Sequence, residues 1–334
     1  MLLVPMSSTF FAGKNILVTG GSGFVGSHFV EKLVAAGAYV TVPYRNKTKA
    51  EKNLKSVLKR ITLVEGNLYD PKFCERITEK KDIVCHLAAD VGGIHYNVAH
   101  PGTIFKENLS AFMNILEAAR KNNVERFLTV SSACVYSKEC TIPTPEAEGF
   151  KDVPEQTNEG YGWAKRMEEF LSRAYAKEFG MKIAIVRPSN MYGPRDNFEP
   201  EKAHVIPSLL TKIINGDGTL IVFGTGRPTR AFLYVEDFCE GAMAAVEHAC
   251  DEDPINIGSD EEISIKALVE LLCKHTNKTP KVIFDTTKPD GHLRRASDIT
   301  KAKNKLHFKP KISIEEGIKN TVQWYKEEME NGNC

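Results

Sequence analysis

The sequence predicts an α/β fold: a Rossmann-like, doubly wound parallel sheet with a smaller α/β substrate-binding domain on its C-terminal side. Three observations predict it. Short apolar runs alternate with segments of helical spacing through the first 187 residues, as in sheets whose parallel strands are joined by helical crossovers. A glycine triplet stands at the first strand-to-helix turn. After Pro188 the texture shifts to prolines, glycines and short polar stretches as far as Arg230.

The elements follow in order. Residues 15–19 form an apolar run ending in glycines and read as a buried strand. Residues 27–37 place Phe29, Val30, Leu33 and Val34 on one helical face. Residues 38–42, 61–65 and 83–88 read as the next three strands, and 47–60 as a solvated helix face. Residues 103–122 carry Ile104, Leu109, Phe112, Ile115 and Leu116 on one side of a helix. A fifth strand at 127–131, a long helix at 161–179 and a sixth strand at 182–187 complete the series. Beyond it, 255–257 and 281–284 read as short isolated strands among helices, and 235–248 as a helix returning to the first domain. The expected division is a dinucleotide-binding domain at 11–187 with its return helix at about 234–249, and a substrate-binding domain at 188–233 and 250–330. The second covers the carboxyl ends of the first sheet, where ligands bind in such folds.

Composition narrows the partners. The 334 residues are 42% hydrophobic and 26% charged, with a net charge of +1. No global field favours nucleic acid or an anionic membrane, and no apolar run reaches the roughly 18 residues of a membrane span. Residues 1–11 lack a basic start and a small-residue cleavage site, so they read as a lead-in to the first strand, not a signal peptide. Eight scattered cysteines without a Cys-x-x-Cys pair fit reduced thiols and a cytoplasmic protein. His28, His86, His95 and His100 have no metal-ligand spacing, and no metal is expected.

Gly20, Gly23 and Gly26 follow a strand and open a helix, with Phe24 and Val25 at its start. Glycine permits the tight turn and close approach of a pyrophosphate, and the helix N-terminus supplies donors. The second strand ends in Pro43-Tyr44-Arg45-Asn46-Lys47, without the acid that binds the ribose of NAD. Arg45, with Lys47 near it, suits a 2′-phosphate, so NADP is the expected cofactor and NAD the second choice. Asn67 and Leu68, and Leu87, Ala88 and Ala89, are the further cofactor-binding residues expected near the ends of the third and fourth strands.

Tyr161 and Lys165 share one helix face. A free tyrosine has a pKa near 10, and an adjacent ammonium together with an oxidised nicotinamide is expected to lower it. Ser132, at a strand end, is placed to hydrogen-bond a reacting oxygen. Cys134, two residues on, adds a group able to move a proton beside a redox site.

These residues resemble the extended short-chain dehydrogenase/reductase family, the nucleotide-sugar epimerases and dehydratases, over almost the whole chain. The segment from His86 to Ile94, with Ala88-Ala89-Asp90-Val91-Gly92-Gly93, is similar to the GDP-L-fucose synthase subgroup. So are Asn190-Met191-Tyr192-Gly193-Pro194-Arg195-Asp196, His204-Val205-Ile206-Pro207, Gly224 through Tyr234, and Lys288-Pro289-Asp290-Gly291. The Ser-Ser-Ala-Cys form and Ala88-Ala89-Asp90 also look like GDP-mannose 3,5-epimerase, which carries lysine where this chain has His204.

The resemblance implies a nucleotide-diphosphate sugar as substrate and a homodimer built on helices 103–122 and 161–179. It implies that Cys134 and His204 exchange protons at C3 and C5 of a 4-keto-6-deoxyhexose, and that Tyr161, Ser132 and Lys165 serve hydride transfer at C4. It points to Val91, Gly92, Asn190, Arg195, Arg230 and Arg295 as substrate contacts. Alternatives from the same family are an NAD-dependent 4-epimerase, a 3,5-epimerase or a simple 4-ketoreductase; outside it stands a non-catalytic dinucleotide sensor. Ala133-Cys134 stands where dehydratases carry an Asp-Glu pair, which disfavours 4,6-dehydration. The chain departs from typical fucose synthases at Arg230-Ala231-Phe232, at Ser137 after Tyr136, and in the insert 138–158.

Overall fold

The computed structural model describes residues 9–332, apart from 201 and 289. Most of the lead-in at 1–11 thus lies outside the described residues; Thr9–Phe11 form a short 3-10 turn. The chain runs β1 (Asn15–Thr19), α1 (Phe24–Ala35), β2 (Tyr39–Tyr44), α2 (Lys47–Asn53), β3 (Ile61–Glu65), α3 (Pro71–Thr78), β4 (Ile83–His86), α4 (Ile94–Ala99), α5 (Pro101–Lys121), β5 (Arg126–Val130), α6 (Glu159–Phe179) and β6 (Lys182–Pro188). It continues through β7 (Asn190–Tyr192), α7 (Val205–Asn215), β8 (Thr219–Phe223), β9 (Thr229–Tyr234), α8 (Val235–His248), β10 (Ile255–Ile257), β11 (Glu262–Ser264), α9 (Ile265–Thr276), β12 (Lys281–Asp285), β13 (Arg294–Arg295), α10 (Thr300–Leu306) and α11 (Ile314–Glu330).

Seven parallel strands form the main sheet in the order β10-β6-β5-β4-β1-β2-β3. Alternation along each strand feeds two cores. Ile16, Val18, Ile83, Cys85, Leu128 and Val130 join the face packed with Phe29 and Leu33 of α1 and Phe238 of α8. Leu17, Val84, Phe127, Ile183 and Ile185 join the opposite face with Phe73 of α3 and Phe112 and Ile115 of α5. Each such fully buried side chain contributes about 1.5–3 kcal/mol of transfer free energy, so both faces must stay covered.

The strand order reverses direction between β1 and β4. At this switch point the carboxyl ends of the two strands open a crevice. Gly180 ends α6 in the left-handed conformation at φ 68°, a cap that costs glycine little.

A second cluster gathers Leu209, Leu210 and Ile213 of α7, Leu268 and Leu272 of α9, and Ile318 and Val322 of α11. It backs a small sheet in which β9 pairs β7, β11 and β13, and a separate β8–β12 pair. Lys281–Asp285 is therefore a paired strand, matched by the exposed–buried alternation of Thr219–Phe223.

One sequence expectation needs correction. Ile255–Ile257 was expected as an isolated strand of the smaller domain, but it is the edge strand of the main sheet, paired with Val186–Pro188. Helix α8 carries the chain back across that sheet. Ile255 and Ile257 then bury in the first core, together with Ala302 and Leu306 of α10. The physical reason is a parallel crossover that no local pattern announces.

Candidate active site

The switch point is built to admit a phosphate-bearing ligand. Gly20 has φ 70°, and a Cβ there would fall 2.6 Å from the Ala88 nitrogen. A Cβ on Gly26 would fall 2.1 Å from the Gly20 oxygen. The two glycines let the β1–α1 turn close on itself and on the segment after β4. Gly23 precedes α1, so the first helical N–H groups, at Phe24, Val25 and Gly26, face outward without intrahelical partners. This cradle fits a dinucleotide pyrophosphate. Leu87 donates its N–H to the Thr19 carbonyl at 3.1 Å, which ties the two loops together. Arg45 is exposed just past β2, and Asn67 is exposed after β3. Leu68 is half-buried, its carbonyl accepting from Asn114 at 2.9 Å. Val91 is half-buried, whereas Gly92 is buried and donates to Asn97.

The turn after β5 meets the start of α6 beside this cradle. Ser132 Oγ accepts from the Cys134 N–H at 3.1 Å, and Ser132 favours ionisation of the Tyr161 hydroxyl. Lys165 Nζ lies 5.5 Å from the centre of the Tyr161 ring. It donates to the Val130 carbonyl at 3.0 Å and to Glu168 Oε2 at 2.8 Å. Ser132, Cys134, Tyr161 and Lys165 are thus one constellation, as the sequence spacing implies.

Burial raises the Tyr161 hydroxyl well above the ordinary phenol value, with Cys134 and Glu168 adding to the rise and Ser132 opposing it. The Lys165 ammonium is paired with the Glu168 carboxylate at 2.8 Å. The Glu168 carboxyl is pushed up to about 7 by burial, against the pull of Lys165.

Arg230 and Arg295 are register partners on adjacent parallel strands, so their side chains lie side by side. Burial and then the neighbouring Arg295 push the Arg230 guanidinium down, with Glu155 opposing. Arg295 also reaches the Ala133 carbonyl at 3.3 Å, which ties the pair to the turn carrying Ser132 and Cys134. Asn190 donates to the Ala231 carbonyl beside them. Two residues missed in the sequence join here. Glu155 stands 3.3 Å from Arg295 and 3.0 Å from His292. Both come from loops whose meeting has no local signature.

His204 stands half-exposed at the start of α7, its Nδ1 3.9 Å from the buried carboxylate of Asp196. Asp196 pushes the His204 imidazole up, which favours its protonated form.

Arg195 stands apart from the paired arginines. Expected as a substrate contact, it makes a forked ion pair with Glu31 of α1, at 3.1 and 2.6 Å, and donates to the Asn53 carbonyl at 2.7 Å. With His28 packed against it at 2.8 Å, its donors are committed to pinning the loop after β7 to α1 and α2.

Two histidines stay neutral in the fold. Burial and Lys165 push His86 down to about 3, and burial and Arg195 push His28 down to about 4. An unfolded histidine titrates near 6.5. Below that pH the unfolded chain binds protons that the native one refuses, so stability falls as pH drops toward 4. Glu168 works in the opposite sense between about 7 and 4.5 and offsets only part. Urea unfolding at pH 4.5 is expected to show about 2 kcal/mol less stability than at pH 7; equal midpoints and slopes at the two pH values would refute this.

Residues 16–258 match the NAD dependent epimerase/dehydratase family. The chain belongs to that family. It is an enzyme, and its cofactor is a nicotinamide dinucleotide. GDP-L-fucose synthase 1 of Arabidopsis thaliana is 34% identical over 96% of this chain and 95% of its own length. Among solved structures, a UDP-glucose 4-epimerase of Thermotoga maritima, determined with UDP-glucose, has a TM-score of 0.85 at 31% identity, covering 94% of this chain and 99% of that one. A GDP-L-fucose synthetase of Naegleria fowleri bound to NADP has a TM-score of 0.80 at 26% identity, covering 97% of both chains. Among the described residues of this family member, no group of side chains could hold a metal ion and no helix is long and apolar enough to cross a membrane.

Proposed function

We propose that the chain is an NADPH-dependent epimerase–reductase acting on a nucleotide-diphosphate 4-keto-6-deoxyhexose. The observation that carries this reading is the placement of Cys134 beside Ser132 and Tyr161, in the turn that Arg295 joins to the paired arginines. Gly20, Gly23, Gly26 and the α1 terminus hold the pyrophosphate of the cofactor, and Arg45 takes the 2′-phosphate. When bound, the cofactor supplies a hydride for C4.

The protein's own groups do the rest. Arg230, Arg295 and Asn190 bind the substrate diphosphate. A 4-keto group acidifies the hydrogens on C3 and C5, and inversion needs a base on one face and an acid on the other. Cys134 takes the proton. His204, whose protonated form Asp196 favours, returns one. Ser132 and Tyr161 then hydrogen-bond the C4 oxygen, and Tyr161 gives up its proton as the alkoxide forms. Lys165 orients the cofactor ribose.

Two features support the wider reading. Helices α5 and α6 lie against each other and expose Met113, Phe170 and Phe179, a surface suited to a homodimer. The described cysteines are free thiols, in keeping with a cytoplasmic setting. A cofactor-retaining 4-epimerase is the second reading, favoured by the likeness to the UDP-glucose enzyme.

Incubation with NADPH and a panel of nucleotide-linked 4-keto-6-deoxyhexoses in D₂O tests all of this. The wild-type chain is expected to oxidise NADPH and place deuterium at C3 and C5. Cys134→Ser is expected to lose deuterium entry about 10²-fold or more while still reducing a ketone of the product configuration. Undiminished deuterium entry in that variant removes Cys134 from the mechanism. Epimerisation without net NADPH oxidation selects the second reading.

A further inference from the structure

We propose that Glu168 is a positioning residue of the active site, whose carboxylate pairs with the Lys165 ammonium and so keeps Tyr161 a phenol, able to donate, as the pH rises past neutral. The inference rests on the roles given above to Tyr161 and Lys165.

Geometry carries it. Glu168 follows Lys165 by three residues on α6, so both project onto one buried face, at 0% and 2% exposure. Glu168 Oε2 accepts from Lys165 Nζ at 2.8 Å, and the Val130 carbonyl accepts a second Nζ hydrogen at 3.0 Å. One of the three Nζ hydrogens is left for a ligand. Glu168 Oε1 is buried and has no hydrogen-bond partner among the described residues. A carboxylate in that state is a poor choice for stability, since apolar replacements of buried ion pairs are often neutral or better. Its contact with Lys165 is where its effect is felt.

Other groups face the pair as well, and Cys134 adds to the rise at Tyr161 ahead of Glu168. On α6 the neighbours are Tyr161, Lys165 and Glu169, and Glu169 is committed to Arg187 of β6. From β4 comes His86, which burial keeps neutral. From the turn after β5 come Ser132 and Cys134. An unpaired ammonium 5.5 Å from the Tyr161 ring centre would draw the hydroxyl toward phenolate. The Glu168 carboxylate cancels that pull and adds its own repulsion of a phenolate. A phenol is the form that protonates the C4 alkoxide of a reduction. A cycle that starts by oxidising an alcohol needs the phenolate instead.

The test compares wild type, Glu168→Gln, Glu168→Leu and Glu168→Asp as full chains saturated with NADP. Tyr161 ionisation is followed by tyrosinate difference absorbance, with the Tyr161→Phe background subtracted. Where a 4-keto sugar of the panel supports turnover, the high-pH limb of kcat/KM for reduction is the second readout. Glu168→Gln and Glu168→Leu are expected to move the Tyr161 step down by at least about one pH unit, a tenfold loss of the phenol in the window between the two steps. Glu168→Asp is expected to keep it close to wild type. If folded Glu168→Gln or Glu168→Leu ionises Tyr161 where wild type does, the inference fails while the active-site reading stands. If Tyr161→Phe reduces the ketone at the wild-type rate, the active-site reading itself fails.

Discussion

Tyr161→Phe is expected to lower the rate of ketone reduction by about 10²–10⁴-fold, the usual contribution of a positioned general acid. The substitution removes one oxygen and keeps the ring. Tyr161 is 8% exposed, and its ring packs where α6 starts, so phenylalanine fills the same space. Burial, Cys134 and Glu168 keep the hydroxyl protonated, with Ser132 opposing. Removing it leaves the ketone oxygen with Ser132 alone, and serine cannot supply the proton at that barrier. Cofactor binding should persist, because the glycine cradle at Gly20 and Gly26 and the Lys165 side chain are untouched. The decisive measurement pairs single-turnover NADPH oxidation with NADPH fluorescence titration. A variant that binds NADPH normally and reduces at the wild-type rate would remove Tyr161 from the chemistry.

The second large effect is on stability. Arg187→Met is expected to cost about 3–5 kcal/mol, because it strands Glu169 as a buried, uncompensated charge. Arg187 and Glu169 are 1% and 0% exposed. They meet as a fork, Nε to Oε1 at 2.8 Å and Nη2 to Oε2 at 2.7 Å. Glu169, with the Tyr136 hydroxyl behind it, holds the Arg187 guanidinium well above its ordinary value. Arg187 also donates to that hydroxyl at 3.0 Å and to the Glu146 carbonyl at 2.7 Å. The pair therefore fastens β6 to α6 and to the turn that carries Ser132 and Cys134. The double variant Arg187→Met, Glu169→Leu is expected to recover most of the loss, since it removes both charges together. Urea unfolding of the single and double variants decides the matter. A double variant as unstable as the sum of its singles would show that the fork is not the source of the effect.

The local parts of the site were legible before any coordinates. Gly23 and Gly26 announce a phosphate cradle because the steric demand on them is met within a few residues, at the Gly20 oxygen, whereas the demand on Gly20 comes from Ala88, far along the chain after β4. Tyr161 and Lys165 announce each other because a helix brings residues four apart onto one face. Ile16, Leu17 and Val18 alternate between two cores because a strand has period two. The same helical arithmetic could have exposed Glu168, three residues after Lys165, but a pair of glutamates on a helix ordinarily reads as a solvated face.

The sequence by itself therefore determined the doubly wound sheet, the dinucleotide cradle and the order Ser132, Tyr161, Lys165, since each follows from the geometry of one strand, one turn or one helix. Only the tertiary structure decided that Arg230 stands beside Arg295, that Arg195 belongs to Glu31, and that Ile255–Ile257 closes the main sheet. Those partners lie about 65, 164 and 70 residues apart, and what joins them is competition for burial and for counter-charge across the whole fold. Lys165 shows the division within one residue. Its place opposite Tyr161 follows from spacing, while its charge is answered by Glu168 only because packing has removed the water that would otherwise screen them both.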